Sequence, residues 1–197
     1  MGRGLDPLDP AVSPPIEAVP PERRGRVLVL LALGLAAGCA SGSIVLTEDG
    51  YRNTRHRYTI GAPRGPGPAW EQIEIEGAWI AFRRPGPQTL SLQSRCGRPV
   101  AHPAVMARNL VVGIRGRELR QAGPGVVAGR GGWSQTFDTR ADGVTVRVKT
   151  VTVVIAGCTY DWTLAAVGEF AAAERSFDAW WGSFQLDPEA GGGERPS

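Results

Sequence analysis

Lysine is almost missing from this chain: Lys149 stands alone against 21 arginines in 197 residues. The bias reads as GC-rich coding rather than a nucleic-acid footprint. The arginines are spread out, no basic stripe or cluster stands out, and the net charge is only +3. Histidine is nearly as scarce. A serine or cysteine nucleophile would need a base nearby, and only His56, before a strand, and His102, beside Pro103 at a helix entry, are on offer. None of the three cysteines lies at ligand spacing from another cysteine or a histidine, which speaks against zinc or any other metal site. The chain has no internal repeat, and Asn53-Thr54-Arg55 fails as a glycosylation sequon because arginine takes the acceptor place. The glycine-rich stretches 123–125 and 129–132 lack a following helix and read as turns, not phosphate cradles.

A long apolar run is also lacking. The run 27–38, VLVLLALGLAAG, follows Arg23, Arg24 and Arg26. As a helix it spans about 18 Å at ~1.5 Å per residue, too short for a hydrocarbon core of about 30 Å. It suits the core of a signal peptide behind a basic segment. The run ends in Leu35-Ala36-Ala37-Gly38-Cys39, which resembles the lipobox of bacterial lipoproteins. That resemblance implies cleavage between Gly38 and Cys39, with diacylglycerol and an N-acyl chain on Cys39 as the only covalent group. The domain would then be anchored in the cell envelope, facing the periplasm. Ala40 and Ser41 lack the aspartate that favours inner-membrane retention, so the outer membrane is preferred. The alternative is an ordinary secretory signal with a chance cysteine. The 26 residues before Val27 are proline-rich, and acidic as far as Glu22, unlike the usual short leader. Translation starting near Val19, or a cytoplasmic extension, would account for them.

If Cys39 carries lipid, Cys96 and Cys158 remain. An exported chain sits where disulfides persist, so this even pair is expected to form one bridge. Closing so long a loop contributes about 4 kcal/mol in the chain-entropy view. Two buried free thiols are the alternative.

The mature chain divides into a lipidated tether (39–50), a folded domain (51–186) and a polar, glycine-rich tail (187–197). Period-2 alternation predicts strands near 57–60, 72–76, 78–82 and 89–93. From Pro103 the period changes: Ala104, Ala107, Val111 and Ile114 fall at helical spacing, widened by Met106 and Leu110. This predicts a helix of about three turns, ending near Gly113 or Gly116. Residues 126–167 read as a strong antiparallel unit, with Asp142-Gly143 and Ala156-Gly157 as turns. Within it, 144–155 slips phase: Val144, Val146 and Val148 share one parity, Val151, Val153 and Ile155 the other. Either a bulge near Lys149-Thr150 restores one buried face, or both faces are buried. Asp161, between Tyr160 and Trp162, faces solvent or pairs with an arginine of a neighbouring strand. The last element is an amphipathic helix with the core stripe Phe170, Ala173, Phe177, Trp180 and Phe184, and with Glu169, Glu174, Arg175 and Asp178 largely off it.

The succession YRNTRHRYTIGAP, a Trp70 loop, AWIAFRR, QTLSLQSRC and a helix continues through WSQTFD and VTVRVKTVTVVIAGCTYDWTLAA to a helix ending WWGSF. This layout resembles the PsbP-like fold, which also occurs in envelope lipoproteins of the DcrB and LpqN type. The resemblance covers 51–186. It implies an α+β domain, a curved antiparallel sheet with helices packed on its faces, and mostly non-enzymatic members that dock on larger complexes. No catalytic set carries over to this chain. Together these readings give a membrane-anchored accessory or interaction domain with an envelope protein partner, no nucleic acid and no cofactor. A carrier that shelters a lipid or other apolar ligand between sheet and helices is the alternative. Hydrolase activity comes third.

Overall fold

The computed structural model describes residues 43–187. The expected signal peptide, the cleavage site at Gly38 and Cys39, and residues 188–197 lie outside the described residues. In chain order the elements are β1 (Ile44–Thr47), β2 (Gly50–Asn53), β3 (Tyr58–Gly61), β4 (Glu71–Ile73), β5 (Ile80–Arg84), β6 (Gln88–Cys96) and α1 (Pro103–Leu110). After these come β7 (Glu118–Val127), β8 (Arg130–Ala141), β9 (Val144–Ile155), β10 (Cys158–Ala166), α2 (Phe170–Gly182) and β11 (Gln185–Leu186). A small antiparallel sheet runs β1-β2-β3-β11, and a seven-stranded one runs β4-β5-β6-β10-β9-β8-β7. This is the expected α+β class, two helices on antiparallel sheets. The stretch expected to be a bare tether carries β1, which is exposed along most of its length.

Three hairpins pin the large sheet. Ala128-Gly129, Asp142-Gly143 and Ala156-Gly157 each place two residues at positive φ, between 47° and 81°. That is the type I′ turn whose twist matches the flanking strands. Two of the three were legible as turns, and of the third Gly129 was, although Arg130, Gly131 and Gly132, expected to turn with it, belong to β8. Gly123-Pro124-Gly125 was not a turn at all: it lies inside β7, with Pro124 opposite Trp133. The correction has a plain reason. β7 is an edge strand, so a missing N–H and missing side chains cost it little.

β9 settles the phase question in favour of two buried faces. Its pairing with both neighbours runs without a register shift, and the one irregularity in the sheet lies in β7, between Leu119 and Gln121. Val148 therefore points to the side where α1 lies, packing with Phe137 and Val111. Val151, Val153 and Ile155 point to the opposite side, into the core shared with α2. The strand alternates normally and simply exchanges which face it buries most.

On the α2 side, rows run straight across the sheet. Ile80, Leu92, Trp162 and Val151 stand opposite one another on β5, β6, β10 and β9. Phe177, Trp180 and Phe184 are buried against them, while Phe170 at the helix start is half-buried beneath the Arg147 guanidinium. Edge-to-face contacts join Phe82 to Trp180 and Trp162 to Phe184. Ala173, Phe177, Trp180 and Phe184 of the expected stripe are core, and Phe170 packs at its margin. Glu174 and Asp178, expected off the stripe, are not idle: both bind the Lys149 ammonium, at 2.9 and 2.8 Å.

α1 is shorter than expected. His102 caps it, its Nδ1 accepting from the Ala104 amide at 3.3 Å, and Pro103 fills the first turn. The helix stops at Leu110, where two β-branched residues and Gly113 follow and the Arg117 guanidinium donates to the Val111 carbonyl. Ala107 and Val111 are buried, Leu110 and Ile114 partly so.

Candidate functional site

Cys96 and Cys158 stand directly opposite each other on β6 and β10, with Cα atoms 4.1 Å apart, and they are bridged. The separation is that of a non-hydrogen-bonded antiparallel pair. The disulfide therefore follows from the strand register, and the free-thiol alternative falls.

Beside the bridge, the β2–β3 turn folds down on the sheet. Asn53, fully buried, accepts from the His56 amide at 2.7 Å and shapes that turn. His56 Nδ1 then lies 2.6 Å from Ser94 Oγ, its ring edge-on to Trp79. Sequence reading did not foresee this Ser–His pair, because 38 residues separate its members and neither carries a local motif. Its geometry is that of a pin rather than a nucleophile. Ser94 is buried in mid-strand, its carbonyl takes the Trp79 indole N–H at 2.8 Å, and the Tyr160 phenol donates to the His56 carbonyl at 3.0 Å. Burial, helped by neighbouring Arg55, holds His56 below its ordinary pKa. Burial also pushes the phenols of Tyr58 and Tyr160 up to about 12. A nucleophile needs a reachable oxygen and donors for the developing oxyanion, and the hydrogen bonds around Ser94 are spent on packing instead.

On the other side of the sheet, a groove of about 380 Å³ runs between α1 and the ends of β6 and β10. Arg95, Arg98 and Asn109 supply its polar lining, and Val100, Met106 and Leu110 its apolar one. Beneath it lies Asp161, only 2% exposed. It accepts from Thr152 Oγ1 at 2.7 Å and from Arg95 at 3.0 Å. The expected arginine pairing holds and the solvent-facing option does not. Burial raises the Asp161 carboxyl above the usual range, against the lowering pull of Thr152 and Arg95.

Two groups stand out among the remaining arginines. Arg52 pairs with Asp187, Arg83 with Glu71, Arg120 with Glu118 and Asp138, and Arg147 with Asp138. Arg98, Arg108, Arg115 and Arg117, all exposed around α1, meet no carboxylate among the described residues. The sequence did hold a signal for this gathering. Residues 77–117 contain seven arginines and no aspartate or glutamate. Spacing along the chain hid a cluster that folding assembles.

Among the described residues, no three His, Cys, Asp or Glu side chains are grouped to hold a metal ion, and no helix is long and apolar enough to cross a membrane. A second groove, of about 550 Å³, lies beside β2, β3 and the end of α2, where Ser183 Oγ accepts from the Gly61 amide at 3.0 Å. Gly50 lines it and is held there by sterics. Its φ is 154°, and a Cβ would run into the Ile60 carbonyl oxygen and the backbone of Gly61.

No protein-family model and no curated protein sequence matches the chain. Solved structures do. The cyanobacterial PsbP protein CyanoP of Synechocystis sp. PCC 6803 matches with a TM-score of 0.51 at 15% identity, over 78% of this chain and 98% of that one. LpqN of Mycobacterium tuberculosis, described as involved in cell envelope biogenesis, matches with a TM-score of 0.47 at 18% identity, over 74% of this chain and 90% of that one. At such identity the likeness to CyanoP establishes the fold alone: the described domain is PsbP-like.

Proposed function

We propose that this chain is a bacterial envelope lipoprotein, anchored through lipid on Cys39, whose PsbP-like domain serves as a non-enzymatic accessory module facing the periplasm. The observation that carries the extracytoplasmic reading is the Cys96–Cys158 bridge, since such bonds persist in oxidising compartments. The lipobox-like ending of the run 27–38 supports the anchor, and a fold of this kind names no activity by itself. The accessory role is supported by what the polar side chains do. His56, Ser94 and Asp161, the groups best suited to chemistry, are engaged in holding strands together. An envelope protein is the proposed partner, and the outer membrane the preferred site.

Carriage of an apolar ligand between sheet and helices is the second reading. The space beneath α2 is filled by Trp162, Phe177, Trp180 and Phe184, which leaves that reading only the surface grooves.

Labelling cells with a fatty-acid analogue tests the anchor: the wild-type chain should take up label and Cys39→Ala should not. Two acyl chains or more hold a protein firmly where one holds it marginally, but the variant is an uncleaved precursor that keeps the apolar run 27–38, so the label is what is read. Equal labelling of both chains overturns the anchor. Native mass spectrometry tests the role, because a carrier would leave the cell with a small ligand bound and an accessory module would not.

A further inference from the structure

We infer that the α1 side of the domain is a docking surface for an anionic lipid bilayer. This deepens the anchored reading by stating which face a tethered domain turns towards lipid. The inference stands on four observations about one region. Arg98, Arg108, Arg115 and Arg117 are exposed there without a carboxylate partner among the described residues. Arg108 donates to the Ala104 carbonyl and Arg117 to that of Val111, so both are held on the helix with hydrogen-bonding capacity to spare. The nearest carboxylates are already engaged, Asp161 by Arg95 and Thr152, and Glu118 by Arg120. Finally, valines flank the helix on both sides, with Val100 39% and Val112 70% exposed.

The chemistry of those groups selects the partner. Guanidinium forks match phosphate oxygens and are weakly hydrated, which suits the headgroup layer. An exposed valine gains by entering the boundary between headgroups and acyl chains. The same valine gains nothing on a nucleic acid, whose binders stack bases on aromatic rings. The exposed apolar residues of this face are aliphatic. Several cations elsewhere in the domain are neutralised internally, as at Arg83–Glu71 and at Lys149 with Glu174 and Asp178. Around α1 four arginines without a carboxylate partner among the described residues gather beside exposed apolar side chains. The groove between Val100 and Met106, lined by Arg95 and Arg98, is wide enough to receive a single headgroup within that surface.

The test uses the full chain carrying Cys39→Ala, which removes the lipid. It is sedimented with vesicles of phosphatidylglycerol mixed with phosphatidylcholine, and with vesicles of phosphatidylcholine alone. The run 27–38 contributes to both, so the difference between them is what is read. That difference should be large at low salt and shrink as salt screens it. A basic residue near an anionic surface is worth about fivefold in partitioning. Arg98→Gln, Arg108→Gln and Arg115→Gln together should therefore lower it about a hundredfold, whereas Arg64→Gln with Arg175→Gln should leave it in place. Val112→Asp should weaken binding and Val112→Leu should preserve it. If the triple variant fails to melt cooperatively, Val112→Asp and the salt series on the parent chain decide. Equal binding to the two vesicles overturns the inference, and so does a triple variant that folds and binds like its parent. Binding to a DNA duplex as tight as to the vesicles, indifferent to Val112→Asp, overturns it in favour of a general polyanion surface. The parent chain carries no lipid, so failure here leaves the Cys39 anchor standing, and unlabelled Cys39 would leave this surface standing.

Discussion

On the side covered by α2, the seven-stranded sheet presents Ile80, Leu92, Trp162, Val151 and Val153, closed by Phe177 and Trp180. On the side covered by α1 it presents Phe137 and Val148, then polar Gln135, Thr150, Thr152 and Asp161, all buried. The first side is apolar, aromatic and bordered by the salt links of Lys149. The second is held by hydrogen bonds, such as Gln135 to the Ala107 carbonyl at 2.9 Å, and it is rimmed with arginines that meet no carboxylate among the described residues. Aromatic burial gives most stability per residue, whereas a thin, polar, basic cover stabilises less and leaves side chains free for contact. One sheet thus separates a face built for stability from a face available for association.

The largest expected effect tests that division directly. Phe177→Ala should cost about 3–5 kcal/mol, much of the ~5–15 kcal/mol that a domain possesses. On the α1 side, Val111→Ala removes two buried methyl-sized groups and should cost about 1.5 kcal/mol. Urea unfolding of both variants reads the contrast. Equal losses would break it, and a Phe177→Ala chain as stable as its parent would make the stripe a binding surface rather than a core.

Next in size comes the bridge, which ties together β6 and β10, two central strands that both faces share. Replacing Cys96 and Cys158 by serine should cost about 2–4 kcal/mol for a loop spanning 62 residues. The loss should lower the unfolding midpoint seen from either side, followed by hydrogen exchange at amides of α1 and of α2. A loss confined to one helix would mean that the two faces unfold as separate units.

The α2 side was more legible in the sequence than the α1 side, and the reason is physical. Burial under a long amphipathic helix imprints a strong period, so Phe177, Trp180 and Phe184 announced themselves. The cysteine pair was legible from compartment and parity. β9 carried its answer in its parity slip, which sequence alone could not separate from a bulge because both give the same string of valines. β7 was hidden because an edge strand tolerates Gly123, Pro124 and Gly125, which in a central strand would mark a break. The Ser94–His56 contact and the arginines around α1 were hidden for another reason: they come together only once β6, α1 and the β2–β3 turn have taken their places. Local pattern reports periodic burial well. It reports convergence of distant polar groups poorly.

The smallest expected effect compares one carboxylate on each face. Asp138 lies on the α2 side between Arg147 and Arg120, at 2.7 and 2.8 Å. The Arg147 hydrogen bond leads in drawing its pKa down to about 2, with Arg120 adding to it against the opposing effect of burial. In the unfolded chain an aspartate titrates near 3.9. Between those values the unfolded state binds the extra proton, so the stability that Asp138 contributes is complete above about pH 4 and is lost as pH falls towards 2. Asp161 on the α1 side behaves in the opposite sense. Burial raises its pKa, so just above pH 4 it is the folded state that holds the extra proton. Its contribution is therefore complete in acid and declines as pH rises through its folded value. Urea midpoints measured from neutral pH downwards should show Asp138→Asn flattening the acid loss between about pH 4 and 2. Asp161→Asn should leave that limb intact and remove the opposing slope above it. Parallel pH profiles for the two variants would mean that the two faces hold their carboxylates alike, and the contrast between an ion-paired side and a desolvated polar side would fail at the residues that express it most directly.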